Sequence, residues 1–129
     1  MPKSTIQSFE DLVVYQRLVE LHLEVNSLTM DFPKHEMYEL GSQLRRSSNA
    51  IAANIAEAWN NKHVSIYLEG INRSLGELRE TRHHIRIAAR KGYLKAEVIE
   101  PLLSRYEECA RMLRGLELAL MRSDARSRR

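Results

Sequence analysis

The stretch 73–93, RSLGELRETRHHIRIAARKGY, concentrates the residues of this chain that are best suited to bind an anion. Between residues 79 and 95, six basic side chains stand against a single acid, Glu80. Steps of three and four residues along a helix place side chains on one face, so four of the arginines form a stripe about 80° wide. The candidate anion-binding residues are Arg79, Arg82, Arg86, Arg90 and Lys91.

Three interpretations of this basic stripe are open. It can bind the phosphates of RNA or DNA, because like charges at these spacings repel one another and attract a polyanion. It can pair with acids of a neighbouring subunit, such as Glu20 and Glu24. It can also be a solvated face, since cations suit the C-terminal end of a helix. Residues 79–91 contain no Phe, Trp or Tyr for base stacking, so any nucleic acid would be bound through phosphates, without sequence preference.

The histidines, acids and cysteine of the chain are not spaced as metal ligands or as catalytic groups. A di-iron centre in a helical bundle needs Glu-x-x-His on two helices, and Glu80 with His83 is the one such match. The single cysteine, Cys109, falls in an apolar pattern where cysteine usually behaves as a small hydrophobe. The sequence therefore predicts no catalytic residue, no metal ligand and no cofactor, and hence a protein that is not an enzyme.

Composition and charge limit the class of protein to which this chain can belong. A chain of 129 residues with 43% hydrophobic and 29% charged residues fits one globular domain. The net charge of +3 lies in the last nine residues, MRSDARSRR, so the rest of the chain is neutral. A lone cysteine fits a reducing compartment, and no apolar run approaches the roughly 20 residues that span a membrane. We expect a cytoplasmic protein that does not insert into a membrane.

The apolar periodicity predicts four helices, at about residues 8–31, 35–60, 63–91 and 95–122. Short connections favour antiparallel neighbours, so we expect an all-α, antiparallel up-and-down four-helix bundle. Residues 1–7 would form an N-terminal extension, 8–122 the bundle, and 123–129 a frayed basic tail. In the third helix the core-facing residues are predicted to be Tyr67, Ile71, Ser74, Leu78, Thr81, Ile85 and Ala88.

The first predicted helix has two apolar stripes on nearly opposite sides. One is expected to face the bundle core. The other is either part of a wide core-facing arc or, as we favour, an interface with another copy of the chain. The candidate oligomer-interface residues are Leu12, Tyr15, Val19, Leu23 and Met30.

Several segments, in this order, resemble the four-helix-bundle proteins of the 23S rRNA intervening-sequence family. They are FEDLVVYQ at 9–16, FPKHE at 32–36, QLRRSSNAIAANIAEAW at 43–59, SLGEL at 74–78 and KGYL at 91–94. The resemblance covers about residues 8–120. The chain departs from the usual pattern at Ala58, where the family has Gly, and at Arg73, where a small residue is common.

The resemblance implies a cytoplasmic bacterial protein that assembles as a homopentamer of antiparallel four-helix bundles. It supplies no catalytic residues, and a related branch contacts a reverse transcriptase and nucleic acid through basic surface. We therefore predict a non-enzymatic oligomeric bundle that binds RNA or DNA phosphates through the basic face of the third helix. The alternative is a protein-interaction scaffold that uses this face in contacts between subunits or with another protein.

Overall fold

The computed structural model describes residues 5–128, which form helices and no strand. The helices are α1 (Val13–Thr29), α2 (Lys34–Met37), α3 (Leu40–Ala58), α4 (Val64–Arg90) and α5 (Ala96–Ser127), with a 3-10 turn at Phe9–Asp11 before them. Both α1 and α4 pack beside α3 and α5. The four long helices thus form the predicted antiparallel bundle, with one α-helical turn, α2, between the first and second of them.

The core follows the predicted helical period closely. All seven residues predicted to face the core from the third helix, now α4, are buried. Two of them are polar, and each has a partner. Ser74 Oγ donates to the carbonyl of Ile51 at 2.7 Å, and the hydroxyls of Thr81 and Ser47 are hydrogen-bonded to each other at 2.8 Å. These bonds satisfy hydroxyls that would be costly to bury alone, and they set the register of α4 against α3.

The predicted second helix, 35–60, is divided into α2 and α3, with a break at Tyr38 and Glu39. Glu39 has backbone angles (φ −108°, ψ −97°) that no helix adopts. The carbonyl of Met37, which has lost its helical partner, accepts a hydrogen bond from Arg45 Nη2 at 2.8 Å. The break is therefore held by a side chain from the next helix, which helical periodicity does not reveal.

Helix caps are present at both ends of the bundle. Ser8 and Asp11 form a capping box that closes the 3-10 turn, and extended Leu12 separates that turn from α1. Gly92 has a positive φ of 79° and ends α4. The N–H of Tyr93 bonds to the carbonyl of Ala88 at 2.9 Å, and the N–H of Gly92 completes this Schellman motif.

The last helix is longer than predicted. We expected it to end near Arg122 and to be followed by a frayed tail, whereas α5 continues to Ser127. Ion pairing between Arg128 and Asp124, four residues apart at 3.3 Å, supports this last turn. Arg122 and Arg126 of the C-terminal segment are therefore presented on a helix. Within residues 5–128, no helix is long and apolar enough to cross a membrane.

Candidate nucleic-acid interface

Three of the five predicted anion-binding residues form a row of exposed arginines on α4. Arg79, Arg86 and Arg90 are exposed, and none of them has a hydrogen-bond or ion-pair partner within residues 5–128. Their spacing of seven and four residues keeps them within about 40° of one another around the helix, over about 16 Å of its length. We call these three residues the arginine row.

The one acid in this part of the sequence does not neutralise the arginine row. Glu80 lies on the side of α4 that faces α3, where it pairs with Arg46 and lies 3.3 Å from the ring of His84. Burial opposes the charge of Arg46, but hydrogen bonds to Glu80 and Glu77 more than compensate, so the pKa of its guanidinium is raised. The acid and the arginine row are therefore directed to different faces of the helix.

Arg82 behaves differently from its neighbours, because it lies at the seam between α4 and α5. Its Nη1 donates to Glu107 Oε2 at 2.8 Å, and its side chain is only 32% exposed. Pairing with Glu20 or Glu24 of another subunit is one of the alternatives predicted above. In this structure Arg82 pairs with an acid of its own chain, and Glu24 accepts from Arg105 at 2.5 Å. Pairing between subunits stays a prediction.

Lys91 also has a partner within the chain. Its Nζ lies 2.7 Å from Glu36 Oε2, and the hydroxyl of Tyr93 donates to the same oxygen at 3.0 Å. The hydrogen bond from Lys91 lowers the pKa of the Glu36 carboxyl, and the same bond raises the pKa of Lys91. This ion pair ties α2 to the end of α4, so Lys91 is a structural residue in this chain rather than a free member of the basic stripe.

Two arginines of α5 that were not predicted from the sequence, Arg111 and Arg114, join the basic surface. Arg114 Nη2 lies 3.2 Å from Glu107 Oε1, and Arg111 Nη1 lies 4.0 Å from the same oxygen. Together with Arg82 they place three guanidinium groups around one carboxylate. The spacing of Glu107, Arg111 and Arg114 could have indicated that they share a face, but nothing in the local pattern aligns that face with Arg82.

A groove of about 580 Å³ lies between the end of α3 and the start of α4. Its lining includes the carboxylates of Glu57 and Glu69 as well as Arg73. Arg73 is held by Glu69 at 3.3 Å. Because this region is mixed in charge, it does not extend the arginine row towards the start of α4.

The residues considered for catalysis or metal binding are placed in structural roles. Glu80 contacts His84 and Arg46 rather than His83. In the described part of the chain, no group of three His, Cys, Asp or Glu side chains could hold a metal ion. Cys109 is buried in the core, and burial raises the pKa of its thiol, which disfavours the reactive thiolate.

The five residues of the second apolar stripe of the first predicted helix differ in exposure in the structure. Leu12, Tyr15 and Val19 are partly buried against the core of their own chain, as the wide-arc interpretation expects. Leu23 is 60% exposed and Met30 is 51% exposed, so these two remain candidates for a contact with another copy. The oligomer interface itself stays a prediction.

The chain was compared with known proteins and structures. A crystal structure of a protein of unknown function from the S23 ribosomal protein family of Bacteroides thetaiotaomicron aligns with a TM-score of 0.75 and 23% sequence identity, covering 81% of this chain and 95% of that one. At that identity the likeness shows a shared fold. A search of curated proteins finds no match. The model of one protein family matches residues 10–115, and the chain therefore belongs to the 23S rRNA-intervening sequence protein family.

Proposed function

We propose that this protein is a non-enzymatic oligomeric bundle that binds RNA or DNA phosphates through the α4–α5 face, without sequence preference. The observation that carries the proposal is the arginine row: Arg79, Arg86 and Arg90 are exposed, aligned and without a partner within residues 5–128. A row of phosphates is a natural counterpart to such a row of cations, because phosphate contacts supply most of the affinity of non-specific nucleic-acid binding.

The alternative that these arginines are only solvated cations at a helix C-terminus accounts for Arg90 but not for Arg79. Favourable interaction with the helix dipole falls off within the last turn, where Arg90 lies. Arg79 is eleven residues, or about three turns, before Arg90, so the dipole does not stabilise its charge. Like charges at a spacing of four residues, as in Arg86 and Arg90, destabilise an isolated helix slightly. An anionic ligand would relieve this repulsion.

The kind of ligand follows from what accompanies the arginines. Residues 79–91 provide guanidinium and imidazole groups but no Phe, Trp or Tyr on which bases could stack. The proposed contacts are therefore with the sugar–phosphate backbone, which carries no sequence information directly. The name of the family refers to 23S rRNA, and this makes an RNA duplex the first ligand to test. A cytoplasmic location, also part of the proposal, fits the free thiol of Cys109.

The test is binding of a fluorescein-labelled RNA duplex across a salt series, measured by anisotropy. The variant Arg79→Gln with Arg86→Gln removes two free charges of the row and breaks no ion pair. We expect it to weaken binding and to reduce the slope of log K against log salt by about 1 for each arginine removed. The matched control, Lys34→Gln with Lys62→Gln, removes the same charge from another part of the surface and likewise breaks no ion pair among the described residues. If both double variants bind equally well, net charge rather than the arginine row determines binding, and the proposal is wrong.

A second candidate function is a self-assembling scaffold, and the exposure of Leu23 and Met30 favours it. In this alternative, assembly rather than phosphate binding is the activity that matters. The scaffold would be favoured over the phosphate-binding surface by two results together. The protein would bind no RNA at any salt concentration, and its oligomer would dissociate when Leu23 and Met30 are substituted.

A further inference from the structure

Three arginines from two helices converge on a single carboxylate beside the arginine row. Arg82 approaches from α4, while Arg111 and Arg114 approach from α5. Their guanidinium nitrogens lie 2.8, 4.0 and 3.2 Å from the carboxylate oxygens of Glu107. We call these three residues and Glu107 the Glu107 cluster.

One carboxylate cannot satisfy this set of donors. Three guanidinium groups carry three positive charges and many more N–H donors than two carboxylate oxygens can accept. The Nε atom of Arg82 is buried and has no hydrogen-bond partner among the described residues. The cluster therefore has excess positive charge and, on the exposed side chains of Arg111 and Arg114, more N–H donors than one carboxylate can accept. This combination suits an oxyanion with more acceptor atoms than a carboxylate has.

The cluster is also accessible to a ligand. The side chains of Arg111 and Arg114 are 63% and 50% exposed, and that of Glu107 is 35% exposed. Glu107 can thus leave its position by rotating its own side chain into solvent, with no movement of the helices. A phosphate that approached along the arginine row would reach the same guanidinium groups from the surface.

We propose that the Glu107 cluster is a phosphate subsite of the nucleic-acid-binding face, and that the Glu107 carboxylate occupies it in the absence of ligand. The inference rests on the proposed function and adds a form of regulation to it. A backbone phosphate must displace Glu107 from the three arginines before it binds. Glu107 thereby lowers the affinity of the α4–α5 face and makes the protein release its ligand more readily.

The deciding variant is Glu107→Gln, which keeps the size of the side chain and removes its charge. We expect it to bind the labelled RNA duplex about three- to tenfold more tightly than the wild type at low salt, the size expected when one partly exposed like charge is removed from beside a bound anion. The matched control is Glu108→Gln. Glu108 is the next residue and pairs with Arg17 on the opposite seam of α5, so its loss should leave RNA affinity unchanged.

A second variant separates a local effect from a change in net charge. Arg111→Gln with Arg114→Gln should bind RNA more weakly than the wild type. When these two changes are added to Glu107→Gln, the tighter RNA binding expected of Glu107→Gln should be lost. Urea unfolding of each variant establishes that the compared proteins are folded. This arm keeps the test decisive even if Glu107→Gln alone is too unstable to assay.

The outcomes separate the two proposals. If Glu107→Gln binds RNA no better than the wild type while Arg79→Gln with Arg86→Gln binds less well, the subsite is wrong and the phosphate-binding face stands. Equal gains from Glu107→Gln and Glu108→Gln would also overturn the subsite, because they would show a general charge effect. If neither the wild type nor Glu107→Gln binds RNA at any salt concentration, both proposals fail.

Discussion

Gly70 of α4 lies directly against Ala58, the last residue of α3. A methyl group built on Gly70 would be 2.1 Å from the Cβ of Ala58, far inside van der Waals contact. In this chain Gly70 of α4 is the small residue that allows close approach of the two helices, and the two positions must be considered together.

Gly70→Ala is expected to destabilise the bundle by about 1–3 kcal/mol, because relief of the overlap requires α3 and α4 to separate. The measurement is the midpoint of urea unfolding. Gly76→Ala is the control: its nearest neighbour, Arg79 Nη2, is 3.9 Å away, so the better helix propensity of alanine should stabilise it by about 0.5–1 kcal/mol. Restoring space with Ala58→Gly should recover much of the loss in Gly70→Ala. Equal effects at Gly70 and Gly76 would contradict the steric argument.

The buried hydroxyl pair of Ser47 and Thr81 offers a second test of the α3–α4 interface. Thr81→Val keeps the shape of the side chain but removes the hydrogen bond to Ser47 and the bond to the carbonyl of Glu77. We expect a loss of about 1–2 kcal/mol in the free energy of urea unfolding. Combining it with Ser47→Ala should cost less than the sum of the single changes, because both partners are then apolar. Strict additivity would show that the two hydroxyls are not coupled.

These interface residues show how far the sequence alone could predict the fold. All seven residues predicted for the seam of α4 are buried, since burial along a helix follows its period and needs only local information. Gly70 and Leu75 are buried beside that seam and were not predicted. The break between α2 and α3 was not, because it depends on Arg45 reaching back to the carbonyl of Met37. Period determines which residues of a helix face inwards, whereas contacts between elements determine where a helix is interrupted.

The same distinction applies to the candidate site. The arginine row could be predicted because Arg79, Arg86 and Arg90 share one helix and one face. The pairing of Arg82 with Glu107 could not, because it depends on the register of α5 against α4 across 25 residues of sequence. Arg111 and Arg114 were missed for the same reason.

The ion pair between Glu36 and Lys91 predicts a specific dependence of stability on pH. The folded pKa of Glu36 is lowered, so its contribution is present above the ordinary carboxyl pKa and is lost as pH falls through the folded value. The folded pKa of Lys91 is raised, so its contribution is lost as pH rises through that value.

Glu36→Gln should therefore have a lower Tm than the wild type at neutral pH, and this difference should shrink as the solution is acidified to about pH 3. The measurement is thermal unfolding followed by circular dichroism. Glu39→Gln is the control, since Glu39 is exposed and has no ion-pair partner in the described part of the chain. A Tm difference for Glu36→Gln that is constant with pH would exclude the ionised carboxylate as its cause.

Arg90 and Lys91 are adjacent in the sequence but have different surroundings, and RNA binding should distinguish them. Arg90→Gln removes an unpaired member of the arginine row, so we expect weaker binding and a salt slope reduced by about 1. Lys91→Gln removes a charge already engaged by Glu36, so the slope should be nearly unchanged, with the loss appearing in Tm instead. The two variants have the same formal charge, so each serves as the control for the other. A larger loss of RNA affinity from Lys91→Gln would place the binding surface at the end of α4 rather than along the row.

Self-association provides the last prediction, and it depends on the exposed residues of α1. Leu23→Ser with Met30→Ser should convert the proposed oligomer into single chains, as measured by light scattering of the wild type and the variant after gel filtration. The bundle itself should stay folded, because both side chains are more than half exposed.

Leu118→Ser with Met121→Ser is the matched control, since those residues of α5 are exposed to a similar degree, 51% and 52%. It should leave the mass of the oligomer unchanged if α1 forms the contact. Dissociation by the α5 variant, with the α1 variant still assembled, would move the interface to the end of α5. In that case the exposed side chains of Leu23 and Met30 would need no partner, since single exposed apolar residues are common on protein surfaces.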